Sequence, residues 1–257
     1  MPSLHATFLR MTATASLLCC TWGAHAQPQD LVDRARKGDA VAQNELGKMY
    51  LSGKDVKASP QEAFKWFLLA AKQGLPNAQA NVSQSYLLGL GIKEDRKQAE
   101  LWAKKAADQN FAGGYHLLGL VHEDQWAMSP EEDKARHFFH KAALMGLAPA
   151  QHKYGERVLG GGPKYVGDPE EAEKWLRLSA EQAYAPAQHA LGELYKGRST
   201  MSIAKPVQES CKWFYAAYAQ DPTPESPSHN EVQQCNKELS SAQIEAIKAS
   251  LPRAPGS

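Results

Sequence analysis

Three histidines, His116, His152 and His189, recur at spacings of 36 and 37 residues, each three residues before a glycine, Gly119, Gly155 and Gly192. Four residues after the second and third histidines stand carboxylates, Glu156 and Glu193. Imidazole is a hydrogen-bonding group, a metal ligand and a proton acceptor near neutral pH, so a row of it invites all three chemistries. The equivalent positions earlier in the chain hold Asn44 and Ala80 for the histidine, and Lys48, Gln84 and Leu120 for the carboxylate.

Two readings of the row stay open. In one, histidine is a polar residue tolerated at a half-exposed position. In the other, Asn44, Lys48, Gln84, His116, His152, Glu156, His189 and Glu193 form a partner-facing row, whose binding would change as the imidazoles protonate near ~6.5. If successive helices carry the row, neighbouring rings lie about one helix diameter apart, ~10 Å. A zinc ion needs each nitrogen within ~2.0–2.1 Å, so hydrogen bonding along an extended partner suits the spacing better than metal ligation.

Other polar clusters carry less. His137 and His140 sit three residues apart, and His122-Glu123-Asp124 precede them, but the spacing matches no tight ligand motif, and solvated histidines are the better reading. Gly160-Gly161-Gly162-Pro163 has no lysine and serine following in the P-loop arrangement, so it reads as a turn. No G-x-S-x-G elbow or S-x-x-K signature occurs. No catalytic residue, metal or cofactor is therefore assigned, and the expectation is a binding protein.

The first residues form a segment of their own. Arg10 is the one formally charged side chain before Asp30, an apolar stretch runs from Met11 to Trp22, and Ala24-His25-Ala26 is a small-x-small site. This pattern predicts a secretory leader over residues 1–26, since the apolar run falls short of the ~20 residues that span a bilayer. A lipid anchor on Cys19 or Cys20 is the lesser alternative, because Leu18 and Cys19 are not the small residue such processing wants. Removing the leader leaves 28 basic and 28 acidic residues, which points to neither nucleic acid nor an anionic membrane. It also leaves two cysteines, Cys211 and Cys235, which an oxidising compartment would join.

The elements that must position these residues are written five times. Aligned on the glycine of an L-G pair, the copies read Gly47, Ser83, Gly119, Gly155 and Gly192, with steps of 36, 36, 36 and 37. Trp66, Trp102, Phe138, Trp175 and Trp213 keep the same beat, as do the small pairs Ala70-Ala71, Ala106-Ala107, Ala142-Ala143, Ser179-Ala180 and Ala216-Ala217. Ala42, Leu46, Met49 and Tyr50 mark one face of a first helix; Phe64, Phe67, Leu68 and Ala71 mark a second. Ser59-Pro60-Gln61-Glu62 and Asp168-Pro169-Glu170-Glu171 combine a capping side chain, an N-terminal proline and a carboxylate three residues on. Asp95 opens a similar box, and Gly74 and Gly146 suit the left-handed stop. Such a pair buries too little alone, so the units must stack.

This pattern resembles the Sel-1-like repeat, a relative of the tetratricopeptide repeat, over roughly residues 30–221. The resemblance implies an all-α, right-handed superhelical solenoid that binds protein or peptide partners, often in bacterial envelopes, with the histidine row on the concave inner wall. Some envelope members neutralise toxic effectors. A few have been associated with penicillin binding or β-lactamase-like behaviour, but those carry a disulfide in nearly every repeat. The expected organisation is a leading helix within 27–39, repeats at 40–75, 76–111, 112–147, 148–184 and 185–221, a C-terminal linker and capping helices over 222–251, and a tail at 252–257. In the cap, Ser240 and Gln243 form a capping box, and a Cys211–Cys235 bridge would pin it to the last repeat.

Overall fold

The computed structural model describes residues 28–123, 130–160, 167–197 and 206–251. The expected leader at 1–26 lies outside these, as do Asp124, the capping serine of the third copy, Ser129, and Gly161-Gly162-Pro163. Thirteen helices appear among the described residues: α1 (Pro28–Arg36), α2 (Ala40–Ser52), α3 (Pro60–Lys72), α4 (Pro76–Leu88), α5 (Arg96–Ala107), α6 (Ala112–His122), α7 (Pro130–Leu144), α8 (Ala148–Gly160), α9 (Pro169–Glu181), α10 (Ala185–Gly197), α11 (Pro206–Tyr218), α12 (His229–Glu238) and α13 (Ser241–Ser250). Each packs chiefly on its neighbours in sequence, giving an all-helical repeat array in which α2, α4, α6, α8 and α10 are the first helices.

The ends of the helices follow local chemistry. Asp95 accepts hydrogen bonds from the amides of Lys97 and Gln98, and Asp168 from those of Glu170 and Glu171, which satisfies donors that no turn of helix can reach. The Ser240–Gln243 capping box forms. The stop after each second helix is left-handed at Gly38, Gly74 and Gly146, and the same conformation is taken by Asn110 and Ala183 in the copies that lack the glycine.

Inside each repeat a large side chain of the second helix lies over the glycine of the first. A Cβ on Gly47, Gly119 or Gly192 would come within 2.5 Å of the ring of Phe67, Phe139 or Phe214 respectively. Gly155 faces Leu176, whose Cγ would stand 3.0 Å away. The filler is thus the residue after the aligned tryptophan. The tryptophans face elsewhere: Trp66, for one, packs against a cluster of Ala35 of the preceding unit with Ala42 and Leu46 of its own first helix. The second copy changes both halves of this contact. Ala103 stands where the other copies have Phe or Leu, and Ser83 replaces the glycine, its hydroxyl donating to the Ala99 carbonyl at 2.7 Å. A smaller filler makes room for a larger base.

Glutamines tie one repeat to the next. Gln43 donates to the Ala35 carbonyl of the preceding unit at 3.0 Å and accepts from Gln73 of its own second helix at 2.7 Å. Gln79 with Ala71 and Gln109, and Gln151 with Ala143 and Gln182, repeat the arrangement. The third copy replaces both glutamines, by Tyr115 and Met145. Losing both partners of a buried hydrogen bond leaves no orphan, whereas losing one does.

The cap is held covalently: Cys211 on α11 and Cys235 on α12 form a disulfide. Among the described residues no helix is long and apolar enough to cross a membrane.

The paired change in the second copy yields a test. Gly119→Ala should destabilise by about 1–3 kcal/mol through overpacking against Phe139. Ala103→Phe should cost a similar amount alone and recover most of it when combined with Ser83→Gly. Urea unfolding of the four members of that cycle measures the coupling; strict additivity would refute the size-matching account.

Candidate functional site

The position that carries the histidine row is more buried than a solvent-facing wall requires. Asn44 is 2% exposed, and its side-chain oxygen accepts from Asn81 of the next repeat at 2.8 Å. His116 and His189 lie against the rings that cover their own glycines, with centroids 5.5 Å from Phe139 and Phe214. His152, opposite Leu176 rather than a ring, is 8% exposed and meets Tyr184 edge-on at 5.6 Å. The reason is the repeat itself. This position sits three residues before the glycine, on the same face, so a ring placed there covers the filler.

Burial also moves the titration. Desolvation, assisted by the positive charge of Lys153 and opposed by Glu123, pushes His116 down to about 4 from its ordinary 6.5. Its Nδ1 is buried without a partner among the described residues. Desolvation likewise lowers His152, with Glu156 opposing and Lys153 adding to the shift. The expectation that these two imidazoles protonate near ~6.5 is therefore corrected: burial moves both below that value, His116 to about 4.

The remaining expected residues divide. Lys48 is exposed and paired with Glu45 at 2.8 Å, and Gln84 is exposed; neither these nor Asn44 and His116 line the groove that the other four share. His152, Glu156, His189 and Glu193, in contrast, all line one groove of about 1250 Å³ between α8, the start of α9, α10 and the cap. Glu156 lies 3.5 Å from His152 Nε2, one helical turn away. His189 Nδ1 is 2.9 Å from the hydroxyl of Ser228, which is itself 1% exposed. Leu159, Leu176, Pro186, Ala190, Leu194 and Pro227 give the groove its mainly apolar surface.

A serine hydroxyl on an imidazole nitrogen is also the arrangement of a nucleophile and its base. Ser228 is 1% exposed, and its bond to His189 fastens the cap to α10, together with an ion pair between Lys196 and Glu231 at 2.7 Å. The cap takes the place that a further repeat would occupy. Asp221, in the lining, ends the fifth repeat, and Ser226, Pro227 and Ser228, also groove-lining, belong to the stretch after it read from sequence as a linker. Its prolines show that helix stops there, but not that the chain folds back over His189.

The other described histidines sit on aromatic rings. His122 stacks on Phe138 at 5.6 Å and lies 3.4 Å from Glu100, and His140 stacks on Tyr154 at 4.5 Å. Glu123 accepts from Arg157 at 2.7 Å and Lys153 at 3.2 Å. Burial would raise its carboxyl, but these two cations outweigh that and hold it below the ordinary carboxylate range. Among the described residues no three His, Cys, Asp or Glu side chains converge as a metal site would need.

A model of the Sel1 repeat matches five successive segments, residues 40–75, 76–111, 112–147, 148–184 and 185–222. The chain belongs to the Sel1 repeat family. Similar solved structures include a protective antigen of uropathogenic Escherichia coli displaying an SLR fold, at 27% identity and a TM-score of 0.69. That match covers 85% of this chain but 46% of the antigen, so the chain spans just under half its length. A Sel1 repeat protein of Oxalobacter formigenes is 24% identical with a TM-score of 0.61, covering 82% of this chain and 89% of that one. An immunity protein of Pseudomonas aeruginosa is 17% identical with a TM-score of 0.51, covering 88% and 86% respectively. No curated protein matches in sequence.

The histidine burial predicts a pH effect with a definite sign. A His116 whose folded pKa lies below its unfolded value stabilises fully above about pH 6.5, and that stability is lost as pH falls toward about 4. Between pH 7 and pH 5 the native chain should lose about 2 kcal/mol more than a His116→Phe variant, by urea unfolding at each pH. Parallel losses would refute the buried neutral imidazole.

Proposed function

We propose that this Sel1 repeat protein is a non-enzymatic scaffold that holds a peptide or protein partner on the wall of its first helices, seated chiefly in the groove between α8, α10 and the cap. The observation that carries the reading is convergence. Two His–Glu pairs from successive repeats line the same apolar groove, which is of a size that can accept side chains of a partner. The groove offers hydrogen-bonding groups at its floor and carboxylates at its edge. Its serine hydroxyls, on Ser226 and Ser228, are buried, and Sel1 repeat proteins generally act as scaffolds.

The setting we propose is the periplasm. The sequence of residues 1–26 supports it, and the Cys211–Cys235 bridge fits an oxidising compartment. A narrower form of the same reading is that the partner is a toxic effector and the protein its neutraliser. The fold shared with an immunity protein of Pseudomonas aeruginosa supports that form, through the fold alone.

A photo-crosslinking amino acid placed at Glu193, in the groove, and separately at Lys72, on an exposed helix end, tests the scaffold reading inside cells. Mass spectrometry of the adducts should show one dominant protein at Glu193 and not at Lys72. Identical adducts at both positions, or none at Glu193, would refute it. If the captured protein kills cells unless this chain is co-produced, the neutraliser form is supported.

A further inference from the structure

The lining of the groove has a sign. Its formally charged side chains are Glu156, Glu170, Glu193 and Asp221, all acidic, and no lysine or arginine lines it among the described residues. The leader-free chain has as many basic as acidic residues, so this is a local concentration rather than a reflection of the whole.

These carboxylates are only lightly neutralised. Glu170 and Asp221 have no ion pair among the described residues; Asp221 accepts a hydrogen bond from Thr223 at 2.8 Å. Glu193 is 3.8 Å from Lys196, but the shorter contact of that lysine, 2.7 Å, goes to Glu231 outside the groove. Glu156 is 3.9 Å from Lys153, whose nearer partner, at 3.2 Å, is Glu123. Two positive features oppose them: the N-termini of α9 at Pro169-Glu170 and of α10 at Ala185-Pro186 also line the groove, and a helix end carries roughly half a unit of positive charge. Four carboxylates outweigh both.

Resting on the scaffold reading above, we infer that the occupant of the groove is an extended, basic segment of a protein partner, anchored by apolar side chains on Leu159, Leu194 and Pro227 with its cations on Glu156 and Glu193. An acidic segment would meet like charges around an apolar surface, a penalty that shape cannot offset. Spacing favours an extended chain. Glu156 and Glu193 project from successive first helices, whose axes lie ~10 Å apart in packed helices. A polyproline-II segment returns the same face every third residue, about 9 Å along, so basic residues at that interval reach both carboxylates while the residues between meet the apolar surface.

The test uses the chain from residue 27 onward and two labelled peptides, four repeats of Lys-Leu-Pro and four of Glu-Leu-Pro, which differ in charge sign but share backbone preference. Fluorescence anisotropy should show the basic peptide binding at least about tenfold more tightly than the acidic one, with affinity falling as salt is raised. The double variant Glu156→Lys, Glu193→Lys should weaken the basic peptide about tenfold or more. A control with the same charge change on exposed residues away from the groove, Glu94→Lys with Glu245→Lys, should stay within about twofold. Because reversal beside His152 can disturb packing, Glu156→Gln with Glu193→Gln serves as the milder pair, expected to weaken binding about threefold with an unchanged melting curve. Equal binding of both peptides, preference for the acidic one, binding of neither, or equal weakening by the groove and control variants would each overturn the basic-segment assignment. None of these removes the scaffold reading, which falls only if crosslinking at Glu193 captures no specific partner.

Discussion

A ring pressed against a glycine is the contact on which this molecule depends. The first helix of most repeats offers a bare Cα at Gly47, Gly119 or Gly192, and the second helix lays Phe67, Phe139 or Phe214 on it with no space for a methyl group. Close approach there brings the two backbones together along their length, which in turn lets the small pairs, Ala70-Ala71 and their equivalents, meet the first helix of the following unit. Packing at crystal-like density leaves little tolerance, so a change on one side demands a change on the other. Ser83 opposite Ala103 is that exchange made within a single chain.

The same contact shapes the candidate site. A side chain three residues before the glycine covers the flank of the filler, and histidine suits this place because one edge of its ring can pack while the other keeps a polar atom available. His116 spends that capacity in the interior, where desolvation keeps it neutral. His189 reaches the cap through Ser228, and His152 reaches Glu156. Identical sequence positions thus serve different ends. What separates them is what covers the next position along the array: another repeat over His116, the cap over His189.

A solenoid must end, and the way this one ends creates a deep groove. Pro222, Pro224 and Pro227 prevent a sixth first helix, the chain turns back, and the Cys211–Cys235 bridge holds α12 against α11. The returning segment stands where a repeat would have packed flush, but it is not a helix pair. The space left between α8, α10 and this segment is the groove. Its acidic edge comes from four places in the chain, Glu156, Glu170, Glu193 and Asp221, which only the stacking brings together.

The steps of 36, 36, 36 and 37 residues, the helix N-caps at Asp95 and Asp168, the capping box at Ser240, and the left-handed stops at Gly74 and Gly146 were legible in the sequence, because helix ends and repeat periods are encoded by residues close together in the chain. The alignment of His116, His152 and His189 was legible for the same reason. Their burial was not: whether a polar residue faces solvent depends on atoms about one repeat away, such as Asn81 on Asn44 or Ser228 on His189. Gln43, Gln79 and Gln151 recur visibly in the sequence, but their glutamine partners, some thirty residues on, could not be read from it. Sequence alone therefore determined that the chain is an array of helix pairs, since period and capping are local. Tertiary structure decided which part of the repeated surface remains open to a partner, since that depends on how the last repeat is covered, and the cap follows no repeat from which its position could be read.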